Sequence, residues 1–392
     1  MTLPESKSTE SPQASARIPF FRHDLGKAEL DSIAEVLAQP ILTTGSFVEE
    51  FERRLAAFLD VQHVVAVTSC TGAMHMSLLA LDIGPGDEVI TTPMTFIATA
   101  TAILEAGAKP VFVEVQDDTG NMDPAGIEAA ITPRTKAIMP VHLYGLMVDM
   151  VELKRIADRY GLAIVEDAAH CLEGRREAAR PASHSQAACF SFYATKNLTC
   201  GEGGAVATND RALAEKLRVL RLHGMTKTAF DRHREGYKHW DMTALGWKYN
   251  MSNIEAAVLL PQFARIDRKL AQRHALAERY ADRLKNLPDV RVPALSAGNS
   301  THCHHVFSIW VGNGRRDEVL ARLQEADVEV VVNYRPVHLT SYFREKFGFK
   351  ENDFPIAERI GDECLSLPFF PGMPLEMVDA VVERLGHIIL TG

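Results

Sequence analysis

The stretch LAIVEDAAHCLEG, residues 162–174, carries apolar side chains at consecutive positions and then two adjacent carboxylates, Glu166 and Asp167. A strand with one face in water alternates apolar and polar residues, whereas a strand covered on both faces need not. The run therefore reads as a buried strand of a parallel sheet. Its carboxyl end is the edge where open α/β sheets bind ligands. Side chains along a strand alternate faces, so Glu166 and Asp167 point to opposite sides, and Asp167 is the candidate for the ligand side.

Runs of the same kind lie on either side: HVVAVT from His63, DEVITT, PVFVEV, KAIMPVHL, ACFSF and GAVATN, separated by stretches of helical character. Together they predict an α/β layered domain with a mainly parallel sheet. Two amphipathic helices precede it, one with Leu30, Ile33, Ala34 and Leu37 at helical spacing and one with Phe47, Phe51, Leu55 and Phe58; both are expected to pack one face inward. A helix follows Asn209, and the long stretch from Ile254 to Leu287 reads as a spine leaving the sheet. Beyond Pro288 come VRV, HVFSIWV, a helix around Val319 and Leu323, the segment VEVVVNY and a last helix. In that last helix Pro374 suits the first turn, and Val378, Val381, Val382 and Leu385 make one face. This is the pattern of a small α+β domain. The expected boundaries are a disordered leader at 1–17, a large domain at 18–253, and a linking helix with the small domain at 254–392.

With 392 residues, 46% of them hydrophobic, the chain is long enough for a substantial core in more than one domain. A net charge of -9 without a basic stripe argues against a nucleic-acid partner. Residues 1–17 hold no apolar core of a signal peptide, and no apolar run approaches the roughly 20 residues that span a bilayer. A soluble, cytoplasmic protein is expected, with its six cysteines, none in a CxxC pair, as reduced thiols.

Four elements carry candidate chemistry. SFYATKNLTCGEGG, 191–204, places Lys196 after a strand and before a glycine-rich turn. A lysine whose pKa is lowered by burial or a nearby cation becomes a nucleophile toward aldehydes, and glycines let the backbone pass close to a bound group. Asp167, as a carboxylate at a strand end, can pair with a protonated pyridine nitrogen and maintain the ring as an electron sink. His170 lies three residues further on, within reach of the same ring's phenolic oxygen. Thr71 and Gly72, in the small-residue turn TSCTGAMH, open a helix whose N-H groups and dipole suit a phosphate. Phe96 begins a helix after DEVITT, where its ring can stack on a flat heterocycle. Each has a plainer reading alone: a surface lysine, a helix-capping aspartate, a structural histidine, an ordinary cap and a core phenylalanine. Their co-occurrence is what points to a cofactor.

With these motifs the sequence resembles the DegT/DnrJ/EryC1/StrS family of sugar aminotransferases from about Ile18 to the carboxyl terminus. The strings TTGSFVEEFE, GDEVITTPMTFIATA, PVHLYG, VEDAAH, FSFYATKN, GEGGAV, KYNMSNIEAAV, YRPVHL and LSLPFFPGM carry the likeness. Within the family, SCTGAMH, ITPRTKAIMPVH and LGWKYNMSNI are similar to the enzymes that make UDP-4-amino-4-deoxy-L-arabinose. The resemblance implies the aspartate-aminotransferase fold (fold type I) and pyridoxal 5'-phosphate (PLP) as cofactor. Lys196 would hold PLP as a Schiff base and shuttle the proton, and Asp167 would hold its ring nitrogen. His170 would lie by the ring oxygen, Phe96 would stack on the ring, and Thr71, Gly72 and Ser191 would bind the phosphate. Asn250, in the KYN motif, would reach the phosphate of the neighbouring subunit, which implies a homodimer with shared sites. The implied reaction moves the amine of L-glutamate to a nucleotide-linked keto-sugar, leaving 2-oxoglutarate.

Several features depart from that pattern or compete with it. The loop 174–185 is shorter and more basic than the family's glycine-rich hairpin, and it is expected to border the sugar or its phosphates. Arg335 is a candidate for an anionic group or a solvated charge. His302-Cys303-His304-His305 gathers four possible metal ligands, though in no zinc spacing. A regulatory protein on the same scaffold, or an aminotransferase of a 3-keto sugar or a cyclitol ketone, are the other readings. Lys196 itself separates the chain from relatives that dehydrate sugars with a histidine in its place.

Overall fold

The structure is a computed structural model that describes residues 17–227 and 239–391. The expected leader lies outside the described residues except for Arg17, which pairs with Glu329 at 2.8 Å. The central sheet has seven strands: β1 (His63–Val67), β2 (Glu88–Thr91), β3 (Lys109–Phe112), β4 (Thr135–Ile138), β5 (Ala163–Asp167), β7 (Ala187–Ser191) and β8 (Gly204–Thr208). Their order is β1-β8-β7-β5-β4-β2-β3, and only β8 runs antiparallel, to both of its neighbours. This is the mostly parallel α/β sheet expected from the consecutive apolar positions.

The two faces explain those positions directly. Ile90, Ile138 and Ile164 pack on one side with α2 (Ser46–Leu59) and α6 (Met150–Tyr160) through Phe51, Leu55, Leu153 and Ile156. Their strand neighbours Val89, Ala137 and Val165 pack on the other side with α3 (Cys70–Ala80), α4 (Ile97–Glu105) and α7 (Arg211–Leu220). One residue per face leaves no position on these strands for a solvated side chain. The short α5 (Ile127–Ala130) adds buried Ile127 to the first face.

The stretch expected as a spine is a helix at Asn253–Leu259, a 3-10 turn, and a 19-residue helix at Ile266–Leu284. Ile266 belongs to the core under the sheet, while Leu276, Tyr280 and Leu284 belong to a second core with β11 (Phe307–Val311), β12 (Cys364–Leu367) and the last helix, Leu375–Thr391. β11 lies between β12 and β9 (Val290–Arg291) in a small antiparallel sheet. Ile18 also joins this second core, so the first described residues pack beside Val328. VEVVVNY makes only isolated bridges there, and Pro374 stands just before the last helix.

One packing expectation fails. On α1 (Lys27–Leu37) the predicted apolar stripe faces outward, with Leu30 57% and Leu37 61% exposed. The helix is anchored by its polar side: Glu29 accepts from Gly26 N-H at 2.7 Å and pairs with Arg265 at 2.8 Å, and Val36 points inward. Periodicity reveals that a stripe exists; the buried Glu29 pair decides which side meets the core.

Phe51 is fully buried, edge-on to Phe192 with ring centroids 5.2 Å apart. Phe51→Ala is expected to lower stability by about 3–5 kcal/mol, read as a drop in the urea midpoint. A change below about 1 kcal/mol would show that the α2 contact contributes little to holding the sheet.

Candidate active site

At the carboxyl ends of β5 and β7, beside the start of α3, the chain encloses a cavity of about 520 Å³. Thr71, Phe96, Asp167, His170, Ser191 and Lys196 all line it; Gly72 and Asn250 do not.

β5 delivers its two carboxylates to opposite sides. Glu166 is fully buried away from the cavity, against His142 Nε2 at 2.6 Å, Ala182 N-H at 2.7 Å and the Ser185 hydroxyl. Asp167 enters the cavity. Its Oδ1 accepts from Ala169 N-H at 3.1 Å in a tight turn, no helix following to be capped, while Oδ2 accepts from the Thr99 hydroxyl at 2.7 Å. Thr99 was not foreseen, although it lies one turn after Phe96 in the same string. With both oxygens anchored, the carboxylate is oriented before anything binds.

Lys196 sits on the turn after β7, its N-H donating to Tyr193 O at 2.9 Å. Burial lowers its pKa to about 8, against the opposing charge of Asp167. The amine is thereby poised to lose its proton near neutral pH. Gly204, at the start of β8, passes so close to α3 that a Cβ there would stand 2.3 Å from the Ser69 carbonyl carbon. That close approach accounts for the glycine-rich turn behind the lysine.

His170 accepts Tyr144 N-H through Nδ1 at 3.3 Å, so Nε2 carries the ring proton toward the Tyr334 hydroxyl at 3.1 Å. Burial, aided by the charge of Lys196, holds its pKa well below the ordinary value, and the ring is neutral. Phe96 stands at the mouth, 55% exposed, with its ring centroid 5.8 Å from that of Tyr334. Core packing, the plainer reading of Phe96, is not where the ring goes. Tyr334 and Asn333 line the cavity, though the sequence left their segment unassigned.

α3 starts with Ser69 as its cap: the hydroxyl accepts Gly72 N-H at 3.0 Å. The Gly72 N-H is thus engaged within the chain, and the residue is pressed against the Tyr249 ring, 3.2 Å from where a Cβ would be. Asn250 donates to the Thr44 hydroxyl at 2.7 Å and accepts from Lys248.

The basic loop 174–185 contributes nothing to this lining. Arg176 bonds Met147 O at 3.2 Å and Asp149 at 3.1 Å, Arg180 lies over the Phe58 ring, and β6 (Arg175–Arg176) pairs with β10 (Ser300–Thr301). Arg176 and Arg180 are used in packing, which sequence composition does not reveal, while Arg175 is exposed. Arg335 donates to Leu339 O at 3.1 Å. Of the histidine run, His305 alone reaches the cavity; His302 and His304 stack on each other with centroids 4.2 Å apart, and burial lowers the His302 pKa to about 3. Among the described residues no three His, Cys, Asp or Glu side chains converge as a metal site.

An anchored carboxylate, an amine of lowered pKa, hydroxyls beside a helix start and an aromatic ring at the mouth form a donor set that fits PLP: an anionic partner for the ring nitrogen, a carbonyl-reactive amine, a phosphate end and a ring face.

Comparison with known proteins agrees. The model of the DegT/DnrJ/EryC1/StrS aminotransferase family matches residues 23–386. The chain is 39% identical over 378 residues to the spore coat polysaccharide biosynthesis protein SpsC of Bacillus subtilis (strain 168), covering 95% of this chain and 97% of that protein. It is similar to S. venezuelae DesV, solved with a ketimine intermediate, at 36% identity and a TM-score of 0.85 over 94% of this chain and 98% of that one. It also matches Spr1654 from Streptococcus pneumoniae in its PLP form, at 28% identity and a TM-score of 0.90 over 96% and 99% of the two chains. The chain therefore belongs to the DegT/DnrJ/EryC1/StrS aminotransferase family and is a PLP-dependent enzyme of sugar amination.

Proposed function

We propose that the enzyme moves the amino group of L-glutamate to a nucleotide-linked 4-keto sugar, with UDP-linked sugars first among the acceptors. The observation that carries the amination reading is the meeting of the Lys196 amine and the anchored Asp167 carboxylate in one cavity. The glutamate donor and the UDP-sugar acceptor rest on the sequence resemblance to enzymes of UDP-4-amino-4-deoxy-L-arabinose synthesis.

The cofactor supplies the aldehyde that takes up the amine and a ring that accepts electrons from the adjoining carbon. Lys196 would hold that aldehyde and, when free, would serve as general acid and base for the substrate carbon. Asp167 holds the ring nitrogen protonated. His170, neutral and fixed by Tyr144, would lie beside the ring oxygen, and Phe96 would cover the ring face. Thr71 and Ser191 would take the phosphate, while the Gly72 N-H is bonded to Ser69.

Asn250 is assigned to the phosphate of a second subunit. Two observations support a homodimer: Asn250 does not line its own chain's cavity, and the α1 stripe with Leu30 and Leu37 is left in water by the chain alone. We place the enzyme in the cytoplasm, as the polar amino-terminal residues 1–17 lead us to expect.

Lys196→Ala is expected to abolish transamination while leaving the circular-dichroism spectrum unchanged; turnover at the wild-type rate would remove the lysine assignment. For Asn250→Ala, PLP retention on gel filtration should fall by about tenfold or more, one charge-assisted hydrogen bond being worth about 1.5–3 kcal/mol. Retention equal to wild type would sink the shared-site reading.

A further inference from the structure

His305 is a second imidazole in the cavity, and none of the roles assigned above uses it. Its Nε2 stands 3.3 Å from Lys196 Nζ, and its ring is stacked on His170 with centroids 4.3 Å apart and planes 29° from parallel. A single turn sets both rings. Tyr144 N-H donates to His170 Nδ1, and Tyr144 O accepts His305 N-H at 3.0 Å. Cys303 N-H donates to the next carbonyl, Gly145 O, at 2.9 Å. Gly145, at φ +107°, lies so close that a Cβ would stand 2.8 Å from Cys303 Cβ. Behind the ring, Arg273 is fixed by a buried ion pair to Glu173 and by a 3.0 Å bond from Nε to Cys303 O. Glu173 in turn accepts from Asn197, the residue after the lysine, at 2.8 Å.

The other ring nitrogen, Nδ1, is buried without a partner among the described residues. A buried polar atom left unpaired is a net cost, so packing alone does not account for a histidine here. We propose that His305 is a positioning residue for Lys196: its neutral imidazole accepts a hydrogen bond through Nε2 and holds the amine, whenever that amine is free of cofactor, directed into the cavity. The proposal rests on Lys196 being the cofactor lysine.

The charges around the pair decide between holding the amine and storing its proton. Burial acts first, and then Lys196, His170 and Arg273, all pushing the His305 pKa well below its ordinary value. On the lysine side, Asp167 favours the charged form against burial, leaving a pKa of about 8. Even an unperturbed imidazole, at about 6.5, would make transfer from the ammonium uphill by about 30-fold. His305 therefore accepts a hydrogen bond without taking the proton. Arg22, His23, Asp24 and Lys269, the last two paired with each other, also line the small void shared by Lys196, His305 and Arg273.

Removing the acceptor withdraws support from the charged amine, so the lysine pKa must fall. The experiment follows PLP reconstitution of the apo-enzyme by absorbance across pH, with kcat and KM measured on the loaded enzymes. For His305→Phe, which retains a ring, the reconstitution midpoint should fall by about half a unit or more and kcat by about tenfold, with KM within about threefold. His305→Gln, whose amide oxygen reaches the Nε2 position, should restore much of both. If the Phe variant fails to fold, His305→Asn, polar but too short, takes its place. An unchanged midpoint and kcat in the Phe variant, or equal losses in Phe and Gln, would overturn the proposal. No absorbance band in the wild type, or an equal band in Lys196→Ala, would instead show that the underlying lysine assignment had failed.

Discussion

Two neighbouring carboxylates at the end of one strand cannot serve the same side of a sheet, and this alternation is the constraint on which the site depends. Glu166 is turned into the protein and satisfied there by His142, Ala182 and Ser185. Asp167 is thereby delivered to the cavity, where Thr99 and the Ala169 N-H orient it. A slip of one residue in β5 would turn every side chain to the opposite face and take Asp167 out of the cavity. The register is held by β4 on one side and β7 on the other, and by Ile164 and Val165 packing into separate cores.

The lysine side of the cavity depends on a different set of contacts. Lys196 is on a turn rather than a strand, and such a position is rigid only if its surroundings make it so. Asn197 is tied to Glu173, Glu173 to Arg273, and Arg273 to Cys303, the residue that sets the height of His305. This buried network links the turn after β7, the turn after β5 and the 19-residue helix that joins the two cores. Isolated, a buried ion pair is weak evidence for stability. Here its consequence is geometric: the lysine and the two stacked imidazoles are positioned by one connected set of contacts.

Much of this was legible in the sequence because it follows from short-range pattern. The seven strands of the sheet show as apolar runs, and Asp167, His170 and Lys196 show as chemistry at strand ends, where the structure puts them. What was not legible depends on contacts between distant segments. The α1 stripe gives its period but not its cover, which the Glu29–Arg265 pair decides across 236 positions. His305 and Tyr334 reach the cavity from the carboxyl-terminal part, 109 residues from Lys196 and 164 from His170 respectively. Gly72 suits a phosphate by composition, yet its N-H is engaged by Ser69, and Arg176 and Arg180 of the loop 174–185 are spent on Asp149, Met147 and Phe58.

The most direct test is the visible spectrum of the purified enzyme, recorded before and after L-glutamate and again after a panel of UDP- and dTDP-linked 4-keto sugars. A cofactor band that glutamate bleaches and one keto-sugar restores is the predicted result, and it would identify the acceptor. A band that glutamate leaves unchanged, or that no keto-sugar brings back, would contradict glutamate-dependent amination of a nucleotide-linked sugar.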